Sequence, residues 1–276
     1  MTATARAQGW LVRAAVLGVV AGFLGGLFGV GGGILIVPAL VLFMHMDQRL
    51  AHGTSLAAVL PIAVASLIGY TLEDKVDWPV GVLLAIGAVG GAVIGTHILH
   101  VLPQRVLGYV FAGFLLLTAV RLIADHSSAV GRSDLAVGRG ALLVLIGLIT
   151  GILAGLLGVG GGIVMVPAMI VLFGIPAVVA KGTSLAVIVP TAVMGTWRNR
   201  TKHNTDLRIA AVVGMAGIVS AFAASQVSVG LSETTSNVLF AVLLAAVAVR
   251  MLLQLRSTRR PPPATDPADA AEATAG

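Results

Sequence analysis

The sequence has no cysteine, which excludes disulfides, thiol catalysis and cysteine-ligated metals. Charged residues make up only 10% of its 276 positions, whereas a soluble domain carries about 25%. Such a chain lacks the polar surface needed to cover itself in water. No aspartate or glutamate falls inside any of its long apolar runs, so a buried carboxylate proton relay of the kind found in pumps is absent. His97 and His100 share one helical face without a carboxylate or other ligand nearby, and no metal site is expected. The glycine runs follow no strand and have no acidic residue at the spacing of a dinucleotide site. Lys181-Gly182-Thr183 lacks the glycine that precedes the lysine of a phosphate loop. No nucleophile is paired with a base. The sequence therefore points away from an enzyme and calls for no cofactor.

What the chain does have is hydrophobicity. Apolar residues make up 58% of it, and its mean hydropathy is +1.03. Glycine is abundant at 35 residues, as suits membrane helices that pack by close backbone approach. The bilayer is the natural solvent for such a chain. The net charge is +6. The basic residues lie between apolar runs and in the tail, the pattern of loops facing anionic lipid rather than nucleic acid. The first run, Trp10 to Val30, recurs later in the chain and reads as a retained span rather than a cleaved leader.

That recurrence is general. Gly22 to Pro61 aligns with Gly151 to Pro190 at an offset of 129, with about half the positions identical. Gly29-Val30-Gly31-Gly32-Gly33-Ile34 matches Gly158-Val159-Gly160-Gly161-Gly162-Ile163, and Gly53-Thr54-Ser55 matches Gly182-Thr183-Ser184. The same offset pairs Asp77 with Asp206, Phe111 with Phe240 and Arg121 with Arg250. Composition alone does not keep Gly, Pro, Thr, Ser and Asp in step over that distance, so the chain is a duplication. The repeats are residues 10–126 and 139–255, followed by a disordered cytoplasmic tail over 256–276 rich in Pro, Ala and Thr.

Each repeat carries five apolar runs, and the second is short, Ile34 to Met46 and its counterpart near 163–176. About 13 residues fall short of the roughly 20 that a span needs, which suggests a re-entrant or broken segment. With four spans per repeat, fourteen of the 17 basic residues lie on the cytoplasmic side. If the short run crosses, the split becomes twelve to five. The positive-inside rule thus favours an all-α protein of two parallel four-span repeats with both termini cytoplasmic, over two inverted five-span repeats.

Two motifs are candidates for chemistry. Gly31, Gly32 and Gly33, with Gly160, Gly161 and Gly162, break the helix at membrane depth. The helix that follows presents free N–H groups suited to an anion, although the same glycines would also serve as a packing hinge. Thr54 and Ser55, with Thr183 and Ser184, open the third run of each repeat. They read either as helix N-caps or as donors to an oxyanion. His52 and Lys181 stand two residues before the threonines and add positive charge. Stripes at Gly18, Gly22, Gly26, at Gly147, Gly151, Gly155 and at Gly87, Gly91, Gly95 read as helix packing. The repeats differ at His52 against Lys181 and at Trp78 against Leu207, where substrate choice would be encoded if the repeats share one site.

On the glycine blocks, Pro38, Gly53-Thr54-Ser55, Asp77-Trp78 and their second copies, the chain resembles the sulfite exporter TauE/SafE family of membrane transporters over nearly all of residues 10–255. The resemblance implies an α-helical permease of the cytoplasmic membrane for sulfite, sulfonates or related organosulfur anions. The expected partners are therefore a small-molecule anion, the lipid bilayer and, as an open option, further copies of the chain. Alternating access is the expected mechanism, with export slightly favoured. An anion channel or a structural membrane component is the alternative.

Overall fold

A computed structural model describes residues 3–98, 104–124, 137–157 and 161–257. Over these residues the protein is all-α. The ten helices are α1 (Ala3–Phe28), α2 (Gly33–Met44), α3 (Gln48–Leu72), α4 (Trp78–Ile98), α5 (Gln104–Ala124), α6 (Val137–Leu157), α7 (Gly162–Phe173), α8 (Ala177–Thr201), α9 (Leu207–Gly230) and α10 (Glu233–Ser257). Helices α1, α3, α8, α9 and α10 are long and apolar enough to cross a membrane. At 21 residues each, α4, α5 and α6 match its thickness in length. The anticipated tail lies almost wholly outside the described residues.

Helices α3 and α8 begin well before the apolar runs that announced them. Asp47 caps α3 by accepting from the N–H of Arg49 at 3.1 Å, and Pro176 precedes α8. The Gly-Thr-Ser triplets therefore lie in the second turn of each helix and do not cap it, which corrects the N-cap expectation. Polar residues interrupt the hydrophobic run there without interrupting the helix.

Glycine contacts give the directions of the helices. Gly18, Gly22 and Gly26 of α1 abut Val213, Gly217 and Ala221 of α9 in ascending order, so α1 and α9 run parallel. Gly87 and Gly91 of α4 meet Val144 and Leu148 of α6 in the same sense. The anticipated stripes are thus packing seams wherever their contacts are described. Helix α3 follows α9, because Gly214 meets Pro61 and Gln226 reaches the Gly69 carbonyl at 3.3 Å. Helices α3 and α8 run antiparallel, with Gly195 against Leu56 and Gly182 against Tyr70.

These directions overturn the expected parallel four-span repeats. α1 and α3 point the same way, so α2 must travel back between them rather than re-enter on one side. α3 and its repeat counterpart α8 point opposite ways, so the repeats are inverted. Two features let 12 residues make the return. Gly31 and Gly32 take left-handed φ of 72° and 78°, closing a tight turn after α1. Helix α2 then packs back on α1, with Gly32 against Ala21. Among the described residues, ten of the fourteen lysines and arginines share the side of the outer ends of α1 and α10 in this arrangement. Cysteines at the repeat-equivalent exposed positions Glu73 and Lys202 are therefore expected to label with an impermeant maleimide from opposite sides of the membrane. Labelling of both from one side would restore the parallel arrangement.

The cores do not follow the repeats. One joins α1, α2, α3 and α9 through Ala21, Leu40, Ile62 and Val213, with Ile188 of α8 against it. The other joins α4, α6, α7 and α8 with α5 and α10, through Leu84, Leu143, Met165, Val187, Leu115 and Phe240. The first bundle has thus taken α9 from the second repeat, and the second has taken α4 and α5 from the first.

Candidate functional site

The two bundles meet along α3 and α8, and the glycine turns lie in that seam. A Cβ on Gly31 would stand 2.9 Å from Val59 Cγ1 and 3.4 Å from Ile188 Cγ2, both near the middle of their helices. One on Gly162 would stand 2.9 Å from Val30 Cα. The two turns therefore touch, and the starts of α2 and α7 converge at the centre of the molecule. Gly31, Gly32, Gly33, Gly161 and Gly162 are all buried. Gly160 lies outside the described residues. Gly161 caps α7 with φ of 78°, repeating Gly32 at α2. Neither cap has a side-chain hydrogen bond to the helix start; instead the N–H groups of Leu35 and Ile36 donate to the Gly32 carbonyl, and those of Val164 and Met165 to the Gly161 carbonyl.

The Gly-Thr-Ser triplets act differently. Thr183 Oγ1 accepts from the N–H of Asp77 at 2.9 Å, and Thr54 Oγ1 accepts from the N–H of Asp206 at 2.9 Å. Gly182 admits the carbonyl of Lys75, and Gly53 that of Asn204. Asp77 and Asp206 then cap α4 and α9 through Val80 at 3.2 Å and through Arg208 and Ile209 at 2.9 and 3.1 Å. Each triplet is thus a socket for a loop of the other repeat, which accounts for Asp recurring in step with Gly-Thr-Ser. Ser184 Oγ donates to the Gly29 carbonyl across the seam and to Lys181 O at 2.9 Å. Ser55 is fully buried.

Lys181 is the most unusual residue. Only 1% of it is exposed. Its Nζ donates to Ser236 Oγ at 2.7 Å and lies 5.8 and 5.6 Å from the ring centroids of Phe28 and Phe240. Among the described residues no carboxylate lies within ion-pair distance of it. A buried ammonium without a counter-ion is costly, and such residues mark functional sites. Aromatic faces offset part of the cost. Its backbone packs on the glycine turn, since a Cβ on Gly29 would stand 2.5 Å from Lys181 Cα. Nearby, Tyr70 donates to the Gly26 carbonyl at 2.9 Å and fixes the end of α1 to α3.

His52 does not join Lys181. Gly182 lies beside Tyr70, and His52 stands 18 residues earlier on α3, roughly 27 Å along the helix. One small anion cannot touch both. Trp78 and Leu207 are also apart from the seam, 49% and 44% exposed. Sequence reasoning missed Phe28, Ser236 and Phe240, which no local motif marks. One signal was present: their counterparts at the repeat offset are Leu157, Leu107 and Phe111, so the polar and aromatic company of the lysine is only partly duplicated. Among the described residues no cluster of His, Asp or Glu could hold a metal ion.

Comparison with known proteins finds membrane transporters. The family described as sulfite exporter TauE/SafE matches residues 2–122 and 143–275. The chain is 35% identical over 95 residues to the probable membrane transporter protein YdhB of Bacillus subtilis, covering 34% of this chain and 39% of that one. It is 32% identical over 115 residues to the probable membrane transporter protein YunE of the same bacterium, covering 39% and 42%. A probable membrane transporter protein of Methanocaldococcus jannaschii is 26% identical over 117 residues, covering 40% and 44%. The alignments span about two fifths of the length of each of these relatives.

Proposed function

The chain belongs to the sulfite exporter TauE/SafE family of membrane transporters, and from that membership we propose that it carries small anions, sulfite or organic sulfonates, by alternating access along the seam between its two bundles. The observation that carries this reading is Lys181, a buried cation beside the glycine turns with a hydroxyl and two rings in place of a counter-ion. An anion supplies the missing charge. The starts of α2 and α7 at the same seam add the positive ends of two helix dipoles.

Movement follows from the cores. Within each bundle the helices interlock through glycine–carbonyl contacts and the two threonine sockets. Across the seam α3 and α8 pack antiparallel, with Gly195 on Leu56 and Gly182 on Tyr70. Rocking of one bundle on the other would open the seam to each side in turn. The side bearing the outer ends of α1 and α10 is taken as cytoplasmic, since most of the described basic residues lie there. An inside-negative potential then favours export of a monoanion by about 2.3 kcal/mol per 100 mV.

Reconstitution into proteoliposomes tests the reading, with sulfite, methanesulfonate, acetate and phosphate as probes. Saturable flux of the sulfur anions is expected. Flux that rises linearly without saturation would replace the carrier by a channel. Lys181→Gln should reduce saturable flux at least about 10-fold, the scale of one lost charge-assisted contact. His52→Gln should change it less, and equal losses would remove Lys181 from the site.

A further inference from the structure

The geometry points to a rule of charge for this site: Lys181 matches one negative charge, so the loaded carrier crosses without net charge, the empty carrier crosses as a cation, and dianions are rejected. The inference rests on the proposed anion transport and assigns the charge class of its substrate.

The argument starts from the count of charges at the pocket. Among the described residues, no second charged side chain is seen in contact with the Lys181 ammonium. Helix α1 supplies Phe28 and the Gly29 backbone, and α10 supplies Ser236 and Phe240. The end of α3 supplies Tyr70, whose hydroxyl is committed to the Gly26 carbonyl, and the Lys75 carbonyl against Gly182. Of the charged side chains nearest in sequence, Asp77 is turned to the start of α4, where it accepts from Val80, and Glu233 on the first turn of α10 is exposed. Among the described residues, one ammonium thus stands beside a hydroxyl and two aromatic rings. A monoanion beside it gives a neutral pair. A dianion would leave one uncompensated charge in a buried site, where it is expensive.

The mirror position supports a single charged pocket per chain. There the repeat offset replaces Lys181 by His52, Ser236 by Leu107 and Phe28 by Leu157. No matching ammonium exists on the opposite side to balance a second charge. Membrane potential therefore acts on Lys181 when the site is empty, and not on the complex.

The test uses the full chain in proteoliposomes, with methanesulfonate and sulfate as probes: both tetrahedral at sulfur, one singly and one doubly charged. Potential is set with potassium and valinomycin. With saturating methanesulfonate on both sides the carrier stays loaded, and exchange is expected to be the same at zero and at 100 mV. Net flux must return the empty carrier and should change with potential, by up to about 50-fold per 100 mV for one full charge. Sulfate flux should be below about one tenth of methanesulfonate flux. Lys181→Arg keeps the charge and should keep voltage-insensitive exchange whatever its rate, whereas exchange by Lys181→Gln should become voltage-dependent. Voltage-sensitive exchange in the unmodified protein, or sulfate carried as well as methanesulfonate, would overturn the inference. If Lys181→Gln is inactive, the unmodified and arginine proteins decide. Absence of flux for every anion would overturn the proposed transport itself, a result separable from flux with the wrong voltage pattern.

Discussion

Gly182→Ala is expected to destabilise the protein by about 3 kcal/mol or more, beyond the usual range for overpacking, with a matching loss of monodisperse protein in detergent. The methyl group would run into the Lys75 carbonyl oxygen, a backbone atom of the neighbouring loop, and would stand 3.0 Å from Tyr70 Cβ. Neither is the flexible end of a side chain, so relief requires the loop to withdraw. Withdrawal breaks the bond from the Asp77 N–H to Thr183 Oγ1 and disturbs the start of α4. An unpaired, partly buried N–H costs a further 1–3 kcal/mol or so. Gly53→Ala meets the Asn204 carbonyl in the same way and should behave alike. Gly113→Ala is the control, because nothing lies within 4 Å of its added methyl. There the better helix propensity of alanine should leave stability unchanged or raise it by about 0.5–1 kcal/mol. Thr183→Val separates the two costs by removing the acceptor while keeping the shape. Thermal unfolding midpoints of the four variants check the series. A Gly182→Ala protein as stable as Gly113→Ala would show that the socket does not hold the loop.

The duplication, the all-helical class and the backbone break were legible because each leaves a local signature. A repeat shows as identity at constant offset, and a helix at membrane depth as a run of apolar residues. Three glycines in succession mark a break. What was not legible depends on partners far away in sequence. Thr54 meets Asp206 across 152 residues, and Thr183 meets Asp77 across 106. No window contains both, so the hydroxyls read as caps or ligand donors. The recurrence of Asp with Gly-Thr-Ser was the one trace of their pairing. Counting apolar residues failed at α2 for a related reason. A 12-residue helix is short for lipid, but packed between α1 and α3 it need not span lipid alone. The positive-inside bias was too coarse to decide, since six residues change sides between the two arrangements and the majority stays where it was. His52 and Lys181 aligned in the repeats and so seemed to share a site. Inversion of the repeats is what sends them to opposite ends.

Joining the two bundles covalently should abolish net transport, while joining helices within one bundle should leave it largely intact. The absence of native cysteine lets each pair be introduced without background. Leu56→Cys with Gly195→Cys bridges α3 and α8 across the seam, where a Cβ on Gly195 would lie 3.7 Å from Leu56 Cγ. Gly81→Cys with Ala186→Cys bridges α4 and α8 inside one bundle. Their Cβ atoms would stand 3.7 Å apart, within the range of an unstrained disulfide. Oxidation of the first pair should stop flux completely and reversibly, with recovery on reduction. Oxidation of the second should cost less than about half of it, because α4 and α8 already move together through the Thr183 socket and the bond from Arg198 to the Val93 carbonyl at 3.0 Å. The comparison also distinguishes this arrangement from rocking of the two sequence repeats. Helices α4 and α8 belong to different repeats but to one bundle. If repeats were the moving bodies, both disulfides would arrest transport. Full activity with the α3–α8 bridge closed would show instead that the seam is static, and the path for the anion would have to lie elsewhere.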